Sequence, residues 1–160
     1  GFPHPLPGAV LEDYYLEHIV LCLSDGLLAQ CGIDLDTHRG EIAAGNLSAL
    51  RGCPFVLGSA EDIGGRIGRG LFRSSGGSPV SKATSENVET LLALCEQGVG
   101  ACFCPENLLH TALSPEQLAH LHILPLCPEA SYPICFGYLS RSYPWSVLSE
   151  FIRIAREQTA

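Results

Sequence analysis

A single lysine, Lys82, and eight arginines face seventeen Asp and Glu in the 160 residues, for a formal net charge of −8. No basic stripe is available to neutralise phosphates, so this segment is not expected to bind DNA itself. Apolar runs stay well short of the roughly 20 residues that a membrane helix needs, so a soluble chain with no membrane partner is expected. The opening, Gly-Phe-Pro-His-Pro-Leu-Pro-Gly, has neither the charged nor the apolar region of a signal peptide, and it lacks an initiating methionine, which reads as a fragment. Also missing are the phosphate-loop, nucleophile-elbow, paired-histidine zinc and dinucleotide fingerprints. Catalysis therefore has no positive support, and no cofactor is expected.

What is present suits one globular domain: 46% apolar residues and only 16% charged. Eight cysteines raise the question of a disulfide framework. Their placement argues against it, because Cys22, Cys95, Cys102, Cys104 and Cys135 sit among apolar neighbours, where a free thiol acts as a small hydrophobe. A reducing cytoplasm fits. Cys102 and Cys104, with His120 and His122, present four potential zinc ligands; without a Cys-x-x-Cys knuckle, core residues are the simpler reading and no metal is expected.

Ser81 to Leu109 organises the chain as strand, helix, glycine turn and strand. Val88, Leu91, Leu92 and Cys95 form one helical stripe, Glu86 and Glu89 favour the positive end of that helix, and Gly98 stops it. Ala101 to Cys104 then reads as a buried strand closed by Pro105. Upstream, residues 1–7 should run extended, Tyr15 to Leu23 is a strand broken at Ser24-Asp25-Gly26, and Gln30 to Gly45 is a polar loop or weak short helix. Asn46 can cap the turn Leu47 to Arg51, and Pro54 to Leu57 is a short strand. Ile63, Ile67 and Leu71 predict a helix over about 62–72 despite four glycines, which either weaken it or admit a close backbone approach. Arg66, Arg69 and Arg73 lie along one face of that helix. They can hold a carboxylate, but a solvated face is the plainer reading. Downstream come a helical turn at Ser114 to Ala119, strands at Leu121 to Leu126 and Tyr132 to Leu139, and a last helix opened by Pro144 with Val147, Leu148, Phe151, Ile152 and Ala155 on one face. Alternating strands and helices predict an α/β sheet with mostly crossover connections.

Thr84-Ser85 before Asn87, Glu89-Thr90 in the helix, then Gly98-x-Gly100 and a strand closed by Pro105-Glu106 resemble the effector-binding domain of LysR-type transcriptional regulators. The similarity extends over Leu50 to Phe72 and Tyr132 to Glu157, hence nearly the whole chain. It implies a periplasmic-binding-protein type II-like α/β fold: a crossover over residues 1–10, a second lobe over 11–118, and a return over 119–160 to a first lobe whose front half is missing. Apolar surface on Val147, Phe151 and Ile152 would then be exposed.

Two strand-to-helix loops stand where α/β sheets bind ligands: Gly58, Ser59, Ala60, Glu61 and Asp62, then Ser85, Glu86 and Asn87. By resemblance they face a small polar metabolite effector. The same residues can also simply cap helices. Glu61, Asp62 and Glu86 disfavour a strongly anionic ligand. The resemblance further implies a homodimer and DNA binding only through a separate winged helix-turn-helix. A transporter's solute-binding protein and an enzyme are the rival uses of the same fold.

Overall fold

Burial changes character along the first element. β1 (Ala9–Ser24) has exposed residues up to His18, and from Ile19 onward every residue is buried. A computed structural model describes residues 8–139 and 145–158; the extended start expected over 1–7 and the helix-opening role of Pro144 lie outside them. The chain divides near that change into two compact units, residues 18–131 and residues 8–17 with 132–139 and 145–158.

In the larger unit Ser24 ends β1 and caps α1 (Asp25–Cys31), its Oγ accepting from the Leu27 N–H at 3.3 Å. The polar segment that follows is a helix rather than a loop, α2 (Leu35–Ala43). Asp34 caps it, accepting from the Asp36 N–H at 3.1 Å and the Thr37 hydroxyl at 2.8 Å, and buried Leu35 and Ile42 anchor it. Two anchors a helical repeat apart suffice when tertiary packing supplies the stability, which is why composition left the segment ambiguous. Asn46 accepts from the Ser48 N–H at 3.0 Å at the start of a single 3-10 turn, Ser48–Leu50.

The remaining elements are β2 (Pro54–Leu57), α3 (Ile63–Ser74), β3 (Val80–Thr84), α4 (Val88–Glu96), β4 (Cys102–Pro105), α5 (Glu106–Ala112), α6 (Pro115–Leu118) and β5 (Leu121–Pro125). Helix α5 was not expected; it starts directly from Pro105, and buried Leu109 fastens it. β2 and β3 pair in parallel, and Phe55 bridges in parallel to Ala101 at the start of β4. β4 and β5 both run antiparallel to β1. The spatial order is thus β3, β2, β4, β1, β5, and β1 alone runs against the rest.

Both faces of the central strands are covered, so β2, β4 and the second half of β1 are almost wholly apolar, whereas the edge strand β3 is polar and largely exposed. On one face lies a sulfur-rich core in which Val20, Cys22, Val56, Cys102 and Cys104 meet Leu91, Leu92 and Cys95 of α4 and Leu109 of α5. All eight cysteines are free thiols, and Cys22 Sγ lies 3.6 Å from Cys104 Sγ. Hydrogen bonds with Cys104, Cys22 and Cys95, together with burial, push the Cys102 thiol well above its ordinary pKa. Among the described residues no cluster of three metal-ligating side chains occurs.

On the other face Phe55 stacks on Phe103 at 5.4 Å between ring centroids and meets Phe72 of α3 edge-on at 5.0 Å. The stripe Ile63, Ile67 and Leu71, which predicted the helix, is only half-buried; the side that packs inward is Gly64, Gly65, Gly68 and Phe72. A Cβ at Gly68 would lie 2.2 Å from a Phe103 ring carbon, and one at Gly64 would lie 3.3 Å from the Phe103 carbonyl oxygen. Missing side chains let α3 settle directly onto β4, so the second of the two expectations for the glycines holds.

In the smaller unit the first half of β1 pairs with β6 (Ser131–Leu139), and α7 (Trp145–Glu157) packs against them. Phe136 lies between Tyr14, at 4.6 Å, and Phe151, at 5.7 Å, while the Tyr14 hydroxyl donates to the Ala155 carbonyl at 3.0 Å. Arg156 reaches Glu12 at 2.9 Å and Arg153 reaches Glu150 at 2.6 Å. Val147 and Phe151 are 62% and 57% exposed as expected, but Ile152 is buried at 7%. It turns inward with Leu148 beside Glu12 and Tyr138.

Two measurements check this packing. Gly68→Ala is expected to destabilise by about 1–3 kcal/mol in a urea midpoint, because the stacked Phe103 ring cannot yield. Gly70→Ala, with nothing within 4 Å of the added Cβ, should be neutral or stabilise by up to about 1 kcal/mol. The raised Cys102 pKa means that the unfolded thiol ionises first, near its ordinary value of 9.0. The Cys102 contribution is full below that pH and is lost as pH rises further, so unfolding free energy should fall on the alkaline side in wild type and fall less steeply in Cys102→Ala.

Candidate functional site

Parallel neighbours deliver both candidate loops to the same end of the sheet. In β2 and β3, Leu57 is opposite Thr84, and the Ser85 N–H donates to the Leu57 carbonyl at 3.1 Å, so the second loop begins hydrogen-bonded to the base of the first. A register shift between Phe55 and Val56 accommodates Lys82 on β3 without disturbing that end.

The first loop is built around one carboxylate. Asp62 caps α3, its Oδ2 accepting from the Gly65 N–H at 2.6 Å, and its own N–H donates to the Ser59 carbonyl at 3.2 Å. Gly58 is buried beneath it: a Cβ there would stand 2.2 Å from Asp62 Oδ2. Glycine at position 58 is thus required by the position of the cap. Ser59 is half-buried, and Ala60 and Glu61 are exposed. Among the described residues the Ser59 hydroxyl and the Glu61 carboxylate have no partner.

Arg69, read from sequence as one of three arginines on a solvated helix face, completes the loop. Instead of lying on a solvated face, its guanidinium turns back along α3 and donates from Nη2 to the Gly58 carbonyl at 2.7 Å and from Nη1 to the Ser59 carbonyl at 3.2 Å. Gly65 makes the path, since a Cβ there would lie 2.7 Å from Nη1. The spacing of Arg66, Arg69 and Arg73 carried no sign of this; a glycine four residues before an arginine was the only available hint. Arg66 and Arg73 are exposed as expected.

The second loop is also spent largely on capping. Ser85 Oγ accepts from the Asn87 N–H at 3.1 Å, and Asn87 Oδ1 accepts from the Thr90 N–H at 3.1 Å to cap α4. This leaves the Asn87 amide nitrogen and the exposed Glu86 carboxylate without partners among the described residues. Glu86 and Asn87 also border a hollow of about 310 Å³ closed on its far side by Leu108, Thr111 and Ala112 of α5. Capping accounts for Asp62, Ser85 and Asn87, while Ser59, Glu61 and Glu86 keep hydrogen-bonding capacity that the loops themselves do not use.

A double-mutant cycle tests the coupling of Gly58 to the cap. Asp62→Ala should cost about 1 kcal/mol, as loss of an N-cap does. Gly58→Ala should cost at least as much by displacing the carboxylate, and the double variant should be little worse than Gly58→Ala alone. Additive losses would show that Gly58 acts independently of Asp62.

A family model for the LysR substrate binding domain matches residues 1–160. A comparison with curated proteins found no match. Among solved structures, full-length CbnR complexed with its target DNA is 19% identical, with 98% of this chain and 51% of that chain covered and a TM-score of 0.62. HinK, a LysR family transcriptional regulator from Pseudomonas aeruginosa, is 17% identical over 98% of this chain and 51% of its own, with a TM-score of 0.70. The regulatory domain of CcmR from Synechocystis, in complex with 2-PG, is 12% identical over 99% of this chain and 70% of its own, also with a TM-score of 0.70. The chain spans about half the length of the full-length regulators it matches. Its fold is the periplasmic-binding-protein type II-like α/β fold of those domains. The chain belongs to the LysR substrate-binding domain family.

Proposed function

We propose that the larger unit, residues 18–131, is the second lobe of an effector-sensing domain and that residues 58–62 and 85–87 are its share of the effector site. The smaller unit is then the return to the first lobe, with the crossover at the start of β1. The observation that carries the reading is the placement of two loops at one end of parallel β2 and β3, joined by the bond from the Ser85 N–H to the Leu57 carbonyl. Ligands of open α/β sheets bind outside such strand ends.

The unused groups state what ligand fits. Ser59 offers a hydroxyl and Asn87 an amide N–H₂, while Glu61 and Glu86 offer carboxylates. Two carboxylates beside the loops repel an anion and accept from a hydroxyl or ammonium group. The ligand is therefore a small polar metabolite rich in donors, neutral or zwitterionic. The braced loops are already organised, so little ordering entropy is lost on binding.

The effector acts by population shift: it favours one conformation of the domain over another by the difference in its affinity for the two. The domain passes this to a separate DNA-binding domain of a homodimeric, cytoplasmic regulator, and it catalyses nothing. Family membership supports each of these points, and among the described residues no helix is long and apolar enough to cross a membrane.

The test is a thermal-shift screen of amino acids, amino alcohols and polyols against the full domain, followed by calorimetry on the compounds that raise Tm. Ser59→Ala and Glu86→Gln should each weaken a genuine effector about tenfold while leaving Tm without ligand unchanged. Binding that neither variant alters would move the site elsewhere.

A further inference from the structure

The acidic chain carries one segregated positive region. From Ile63 to Ser85 there is no Asp or Glu, while Arg66, Arg69, Arg73 and Lys82 supply four of the nine Lys and Arg. Arg51 joins them from outside the stretch, donating from Nη2 to the Ser75 carbonyl at the end of α3. The Asp62 carboxylate is the acidic neighbour of Arg69, both standing within 3.2 Å of the point where a Gly65 Cβ would lie. Arg66, Arg73 and Lys82 are exposed, and positive charge gathered in one region of an acidic protein attracts anions there.

Part of this region is concave. A cavity of about 260 Å³ lies between the last turns of α3 and β3, lined by Leu57, Arg69, Arg73, Ser78, Pro79 and Ser81. Ser81 stands opposite Phe55 in the β2–β3 pairing, on the face that α3 covers. Among the described residues the Arg73 guanidinium and the hydroxyls of Ser78 and Ser81 have no hydrogen-bond or ion-pair partner. Arg69 is half-buried, and two of its donors go to the Gly58 and Ser59 carbonyls; those bonds hold its guanidinium in place and leave its other N–H groups unused. The charged groups of the lining are thus two guanidinium forks, accompanied by two hydroxyls.

We infer that this cavity is an oxyanion site for the phosphate group of a small metabolite, separate from the effector loops. A guanidinium fork matches two phosphate oxygens at once, and the two hydroxyls can donate to the rest. The cavity, at about 260 Å³, has room enough for the phosphate group of a small metabolite. Its neighbour Leu57 precedes Gly58, and Arg69 touches both the cavity and the effector loop. Phosphate bound here would draw on the guanidinium that braces residues 58 and 59.

Titration of the full chain with inorganic phosphate, followed by calorimetry, tests the site without reference to any effector. Saturable binding is expected, at least about tenfold weaker in Arg73→Ala and reduced in Ser81→Ala, but changed less than about twofold in Lys82→Ala, whose charge lies in the same region and outside the cavity lining. Arg73 and Ser81 are both exposed, so the variants should fold, and far-ultraviolet circular dichroism confirms it. Acetate at equal concentration should bind about tenfold more weakly than phosphate. No saturable binding up to about 10 mM phosphate overturns the inference. So do equal losses in Arg73→Ala and Lys82→Ala, or equal binding of acetate, either of which reduces the region to a diffuse surface that attracts any anion, nucleic acid included.

Discussion

The close seat of α3 on β4 is the constraint on which the larger unit depends. Gly68 brings the helix backbone so near Phe103 that no side chain fits between them. That approach places Phe72 edge-on against Phe55, which in turn stacks on Phe103. It also fixes where the first turn of the helix starts, and with it Asp62, the Gly58–Asp62 loop and the return path of Arg69. A helix with four glycines in twelve residues is intrinsically poor. Here the lost propensity is offset by aromatic packing that a bulkier helix face would prevent.

The two faces of the same sheet are solved differently. The α3 face is filled by large rings and bare backbone, whereas the α4 face is filled by thiols and leucines. Cysteine is small enough to let α4 and the β1–β4 pair interlock, and it leaves no demanding polar group behind. Raised thiol pKa values follow from that burial and from thiol-to-thiol hydrogen bonds, and they keep this core uncharged and chemically quiet.

At the sheet end, hydrogen-bond accounting separates the groups spent on capping from those left unused. Asp62, Ser85 and Asn87 satisfy backbone N–H groups of the helices they precede, while Ser59, Glu61 and Glu86 are left over. Helix capping and ligand binding are therefore not competing explanations of these loops. Capping holds the backbone rigid, and in the proposed effector site that rigidity reduces the ordering entropy lost on binding.

Apolar periodicity, short apolar runs and the glycines and prolines that bound them determined most of the elements. The stripe of Val88, Leu91, Leu92 and Cys95 located α4, the prolines at 105 and 115 bounded elements, and alternating strands and helices announced the α/β class. The order of weak signals from Thr84 to Glu106 was enough to point to the family. What the sequence could not reveal depended on partners distant along the chain. Helix α2 needed burial of only two side chains, and Ile152 turned inward where its stripe looked exposed. The inward side of α3 was its glycines rather than its isoleucines, because packing there is decided by what is absent. Arg69 left its solvated stripe because Gly65 cleared a path to two carbonyls, and only tertiary structure brings those three points together.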